Sequence, residues 1–147
     1  MSGVQNNGEK NMKLDATPKR LLVEKALEAR KNSYAPHSGF CVGAALLCAD
    51  GDIILGANVE NSSYGGTICA ERSAFCAAVS SGKREFQAVA IVGAPNGEAP
   101  KEICAPCGIC RQFMYEFCDT DFCVLLWDGE NIVEKTLGEL LPNGFRL

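Results

Sequence analysis

Residues 86–94, Phe-Gln-Ala-Val-Ala-Ile-Val-Gly-Ala, form a run in which Gln87 is the one polar residue. A bilayer span takes about 18 apolar residues, so this run is a strand rather than a membrane segment. An apolar strand of this kind is buried on both faces, and the chain that carries it must cover a sheet from two sides. The rest of the sequence is patterned to do so. Residues 18–33 keep apolar positions at helical spacing, with Leu22 and Ala26 on one row and Val23 and Leu27 on the next. Thr17 is the expected cap, Pro18 the first helical residue and Pro36 the stop.

Residues 40–61 read as two strands around Asp50-Gly51, a strong hairpin signal. A second helix is expected from Cys69 to Gly82, and a third from about Cys107, just behind Pro106. Residues 122–127 and 131–136 are two more strands about Asp128-Gly129, followed by a last helical turn or two from Leu137. Helix, hairpin, helix, strand, helix, hairpin, helix predicts an α/β fold: three layers, α/β/α, around a mixed five-stranded sheet with an antiparallel last strand pair. The 147 residues suffice for one domain, expected over 17–147. Residues 1–16 are polar and Asn/Gly-rich, and read as a disordered lead-in without a signal-peptide core. A cytoplasmic location follows as an expectation.

In that reducing compartment the nine cysteines are thiols rather than disulfides. The formal net charge is −4, with no cluster of Lys or Arg, which argues against a nucleic-acid partner. No apolar run is long enough for a membrane partner. The single histidine, His37, excludes Ser-His-Asp chemistry combined with a multi-histidine zinc site, and reads as a loop residue. Cys41, Cys48, Cys76, Cys104, Cys118 and Cys123 fall mostly among apolar neighbours and read as small core hydrophobes.

Cys69, Cys107 and Cys110 carry a different message. Cys107 and Cys110 are three apart at a helix start, so their sulfurs share a face, and Cys69 opens the other helix. Both N-termini can point at one spot at the sheet edge, where helix dipoles and free N–H groups favour thiolates. Three soft ligands in tetrahedral array suit zinc. A structural zinc site is closed by four protein ligands, whereas a catalytic one keeps a position for water. Cys104 is a fourth candidate ligand, so spacing leaves both arrangements open. Glu71, two residues after Cys69, is a candidate proton acceptor beside such a site. Taken alone it is an ordinary first-turn acid; beside three thiols it reads as the base.

Cys69-Ala70-Glu71 together with residues 106–112, Pro-Cys-Gly-Ile-Cys-Arg-Gln, resembles the cytidine deaminase signature C-x-E…P-C-x-x-C. The resemblance runs from about Tyr34 to Phe145 and includes Asn58-Val59-Glu60-Asn61 and residues 139–145, Glu-Leu-Leu-Pro-Asn-Gly-Phe. The cysteine in the first ligand position is similar to the small homotetrameric cytidine deaminases. It implies one Zn²⁺ per subunit held by Cys69, Cys107 and Cys110, with Cys104 a bystander and Arg72 offsetting the thiolate charge. It implies hydrolytic deamination of cytidine and deoxycytidine to uridine and deoxyuridine plus ammonia, in pyrimidine salvage. Zinc-bound hydroxide would attack C4, with Glu71 as the proton shuttle.

For the nucleoside, the resemblance implies that Asn58 and Glu60, alternating on a strand, bind the ribose 3′-hydroxyl. It places Phe40 under the pyrimidine and the backbone N–H of Ala70 against the base. It also sends Ser62, Tyr64 and Phe145 into a neighbouring subunit's pocket, hence a homo-oligomer, a tetramer with shared active sites. Three rivals are weighed against this: a polynucleotide deaminase, a blasticidin-type deaminase, and a non-enzymatic zinc-stapled domain closed by Cys104. The tight Asp128-Gly129 hairpin and the acidic charge disfavour the first. Asn58 with Glu60 disfavours the second, and Glu71 the third.

Overall fold

The computed structural model describes residues 14–147. The elements follow the expected order: α1 (Ala16–Arg30), β1 (Phe40–Cys48), β2 (Ile53–Ala57), α2 (Ala70–Ser80), β3 (Phe86–Pro95), α3 (Gly108–Phe117), β4 (Cys123–Trp127), β5 (Ile132–Thr136) and α4 (Leu137–Leu140). The expected lead-in falls outside the described residues over 1–13, and the helix opens at Ala16. Thr17 is inside α1 rather than capping it; Asp15 holds the cap position. The helix also ends six residues ahead of Pro36, at Arg30, where Asn32 and Ser33 donate to Ala29 and Arg30 carbonyls in a closing turn.

The sheet order is β2-β1-β3-β4-β5, with β3 and β4 parallel and the other neighbours antiparallel. Both hairpins form at the expected Asp-Gly pairs, with Gly51 and Gly129 in the left-handed region at φ 94° and 102°. Asp128 accepts from the Glu130 and Asn131 amides and so fixes the second turn.

Alternation along the strands divides the core in two. Ala45, Ala88, Ala90, Val92 and Leu125 face α1, which meets them with Leu22, Val23 and Ala26. Ala44, Leu46, Val89, Ile91, Val124 and Leu126 face α2 and α3. That second face holds an aromatic group in which Phe75, fully buried, contacts Phe86, Phe113, Phe117 and Phe122. The expected three-layer α/β/α arrangement is what the chain forms.

The topology also decides where α2 and α3 begin. β2 and β3 are both antiparallel to β1, so they run the same way. The helices that follow them therefore start at the same end of the sheet, on the same face.

Candidate metal centre and active site

At that end, α2 and α3 begin in an unusual manner. Their N-cap residues are Cys69 and Cys107, in extended conformation and without a side-chain oxygen on the first-turn amides. In contrast, α4 has a full capping box between Thr136 and Glu139. The two thiol-opened helices present positive dipole ends to one place. The Sγ atoms of Cys69, Cys107 and Cys110 all lie within 4.8 Å of one another, and Cys69 and Cys107 are 3.7 Å apart. A tetrahedral zinc with sulfurs at about 2.3 Å sets them about 3.8 Å apart, so this donor set fits zinc. Cys104 is not in the group. The alternative of a four-thiolate closure thus finds no fourth sulfur in place, and the set of three leaves one tetrahedral position for another ligand.

Electrostatics match the geometry. The Cys69 thiol is lowered to about 5, first by the hydrogen bond from Cys110 and then by Arg72 and Cys107, against the opposing effect of burial. Cys110 is raised, because it is the donor in that pair and is buried. Arg72 donates from one guanidinium nitrogen to Cys69 Sγ at 3.5 Å and to the Thr67 carbonyl at 3.2 Å. Its charge is held firmly by that sulfur partner. Arg72 Nε is buried without a hydrogen-bond partner. Cys104 is pushed up to about 11 by burial and by the nearby Glu71 and Cys69 charges, leaving it a neutral thiol.

Glu71 is 3% exposed, in the first turn of α2. Burial raises its proton affinity, while a hydrogen bond with Cys110 opposes that shift. A buried carboxyl beside the thiols, with its proton affinity raised by burial, is suited to proton transfer.

The remaining expected residues divide into three sets. Ala70 is fully buried at the start of α2. Phe40 opens β1, 38% exposed, on the α2/α3 face. Gly93 leaves room for its ring: a Cβ there would lie 2.9 Å from Phe40 Cε1 and 2.8 Å from Cys104 Sγ. Asn58 and Glu60 lie beyond β2, which ends at Ala57. They flank Val59, whose isolated bridges to Tyr34 and Ile68 keep them alternating on a short bridged stretch outside the five-stranded sheet. They turn to the segment before β1. Asn58 accepts from the Val42 amide and the Ser33 hydroxyl and donates to the Phe40 carbonyl at 2.9 Å. Glu60 accepts from the His37 and Ser38 amides and from Ser38 Oγ. Those bonds hold its carboxyl below the usual range, with the Ser38 hydroxyl the largest cause.

Ser62, Tyr64 and Phe145 lie on the outside of the chain, with Tyr64 78% and Phe145 64% exposed. The His37 ring meets Tyr64 edge-on at 6.0 Å. Gln112 donates to the Phe145 carbonyl, and Arg146 donates to the carbonyls of Tyr115 and Cys118 while lying over the Tyr115 ring. The tail is thus pinned along α3 with an aromatic ring left outward. One expectation about the other cysteines fails. Cys76 is exposed, since it lies off the α2 stripe of Ala74, Phe75 and Ala78. Ser38 was not legible as a site residue. Its one signal is a hydroxyl just ahead of Gly39-Phe40 at a strand entrance.

Comparison with known proteins gives a consistent picture. Residues 16–126 match the model of the cytidine and deoxycytidylate deaminase zinc-binding region. The chain is 46% identical over 128 residues to a cytidine deaminase of Halalkalibacterium halodurans, covering 86% of this chain and 93% of the relative. It is 32% identical over 124 residues to a blasticidin-S deaminase of Bacillus cereus, covering 82% and 87%. The crystal structure of cytidine deaminase from Burkholderia pseudomallei superposes with a TM-score of 0.78 at 43% identity, covering 86% of this chain and 98% of the other.

Proposed function

This chain belongs to the cytidine and deoxycytidylate deaminase family, and on that premise we propose that it hydrolyses cytidine and deoxycytidine to uridine and deoxyuridine, releasing ammonia. The observation that carries the reading is the convergence of three thiols with a buried carboxyl at the shared start of α2 and α3. Cys69, Cys107 and Cys110 would hold one Zn²⁺, which would supply Lewis acidity to make water more acidic. Glu71 takes the proton of the attacking water and hands it to N3 of the pyrimidine. It then carries the second proton to the exocyclic nitrogen, which leaves as ammonia when the C4–N bond breaks. Arg72 offsets the negative charge of the sulfurs through its bond to Cys69.

Phe40 is the ring under the base, and the Ala70 amide meets the pyrimidine. Glu60 and Asn58 form the sugar side. A carboxylate that demands a hydroxyl partner discriminates strongly against analogues lacking it, which suits a nucleoside reader over the blasticidin-type alternative. The exposed Tyr64, Ser62 and Phe145 are supplied to a neighbouring copy, in a tetramer with shared sites. No helix among the described residues is long and apolar enough to cross a membrane; the enzyme acts in the cytoplasm.

The test is loss of cytidine ultraviolet absorbance by the purified protein, with and without a zinc chelator. Turnover in the untreated sample, abolished by the chelator and restored by added zinc, is the expected result. Activity indifferent to thorough chelation would overturn the metal assignment, and no turnover by zinc-replete protein would overturn the activity.

A further inference from the structure

Glu60 and Phe40 belong to different segments and address different halves of a nucleoside, yet one hydroxyl touches both. Ser38 Oγ donates to Glu60 Oε2 at 2.5 Å and accepts from the Phe40 amide at 3.0 Å. The Ser38 amide also donates to Glu60 Oε1 at 3.0 Å, beside the His37 amide at 2.9 Å. Of about four acceptor sites on a carboxylate, these bonds occupy three, which leaves one direction on Oε2 for a ligand hydroxyl. A serine hydroxyl has one proton to give. With that proton on Glu60, the Phe40 N–H fills a lone pair, and the chain Phe40 N–H, Ser38 O–H, Glu60 carboxylate has a single polarity. Asn58 secures the same strand start from the other side through the Phe40 carbonyl.

We propose that Ser38 is a positioning residue that couples the sugar and base subsites, aiming the free lone pair of Glu60 at the 3′-hydroxyl and fixing the Phe40 backbone at the same time. This rests on Glu60 being the carboxylate that reads the sugar. Ser38 has no bond to the thiols or to Glu71, so its contribution belongs to substrate binding and not to the proton transfers. Preorganisation of this kind acts by sparing the ligand the cost of ordering its site.

The experiment compares wild-type enzyme with Ser38→Ala and Ser38→Thr, using cytidine and 3′-deoxycytidine as substrates. Zinc content and melting temperature verify the fold. Ser38→Ala is expected to raise KM for cytidine about tenfold, as befits loss of a hydrogen bond to a charged group, with kcat unchanged. The same change costs 3′-deoxycytidine much less, so the preference for the 3′-hydroxyl narrows. Ser38→Thr, which keeps the hydroxyl, restores both values. Equal penalties on the two substrates, a loss in kcat alone, or no recovery in Ser38→Thr would overturn the proposal. A wild-type enzyme indifferent to the 3′-hydroxyl would instead sink the reading of Glu60, and the proposal with it. If Ser38→Ala does not fold, Ser38→Cys carries the same comparison with a weaker donor of similar size.

Discussion

The two faces of the sheet are built from the same strands and are both covered by helices, yet they differ in kind. The buried centre of the α1 face is aliphatic and small, with alanines of β1 and β3 packed on Leu22, Val23 and Ala26 and Trp127 at its margin. The α2/α3 face carries the phenylalanine group, the only buried acid among the described residues, and three thiols at its end. The difference follows from connectivity. α1 enters the sheet once, before β1, while α2 and α3 are crossovers after two strands of the same direction. Only crossovers of that sort bring two helix starts together at one end of the sheet. The lesson is that function here depends on where helices begin, and stability on what their flanks bury.

The sharpest way to break that division is Glu71→Gln. If chemistry is confined to the helix starts, kcat should fall about 10²–10⁴-fold, the range for a lost general acid–base group. Zinc content and melting temperature should stay as in the wild type, because burial already favours the uncharged carboxyl and the amide has its shape. Steady-state kinetics beside metal analysis reads both. Loss of zinc and fold together would assign Glu71, and the whole cluster, to structure.

Much of this division is legible in the sequence. Helical spacing gives α1, the continuous apolar run gives β3, and the two Asp-Gly pairs give both hairpins, because these are local signals. The spacing of Cys107 and Cys110 likewise marks a candidate ligand pair, which Cys69 joins from 38 residues away. What is not legible depends on contacts remote in sequence. Cys104 and Cys107 have the same spacing as Cys107 and Cys110, and only the path of the loop past Gly93 shows which pair joins Cys69. Asn58 and Glu60 read as one face of a strand, but β2 ends before them, and the residues they bond to, 33–42, are remote in the chain. Ser38 matters only once Glu60 arrives from 22 residues away. Cys76 misleads because its neighbours are apolar while its helix face is not covered.

A smaller effect is expected from Phe75→Ala, which probes the flank rather than the start of α2. Phe75 is fully buried and contacts four other phenylalanines. Truncation should cost about 3–5 kcal/mol, measured by urea unfolding of the zinc-loaded protein. The kinetic constants of the protein that remains folded should be close to wild type. A cost below about 1 kcal/mol would mean that the aromatic group closes up around the hole and does not anchor this layer.

The smallest effect comes from adding one methyl group to each face in turn, and it separates the two most finely. Gly43 lies against α1: a Cβ there would be 2.5 Å from the Arg30 amide nitrogen, 2.9 Å from Arg30 Cα, and in contact with the Ala26 carbonyl. Gly56 lies against α2: a Cβ there would be 2.5 Å from the Ala74 nitrogen, 2.9 Å from Ala74 Cβ, and in contact with the Ala70 carbonyl. The neighbours are mostly backbone, so a helix has to move in either variant, at about 3 kcal/mol, the upper end for overpacking. Gly43→Ala displaces the C-terminal end of α1. That end reaches the sheet through Arg30, which donates to the carbonyls of Cys41, Ala94 and Pro95, so substrate affinity is a poor readout here. Zinc retention against a competing chelator is a better one, because only Gly56→Ala moves the residue that follows Cys69. Both variants should lose similar stability, while Gly56→Ala alone releases zinc more readily. Equal loss of zinc from the two would show that the layers move as one body and that the thiol geometry is set by the whole sheet rather than by the start of α2.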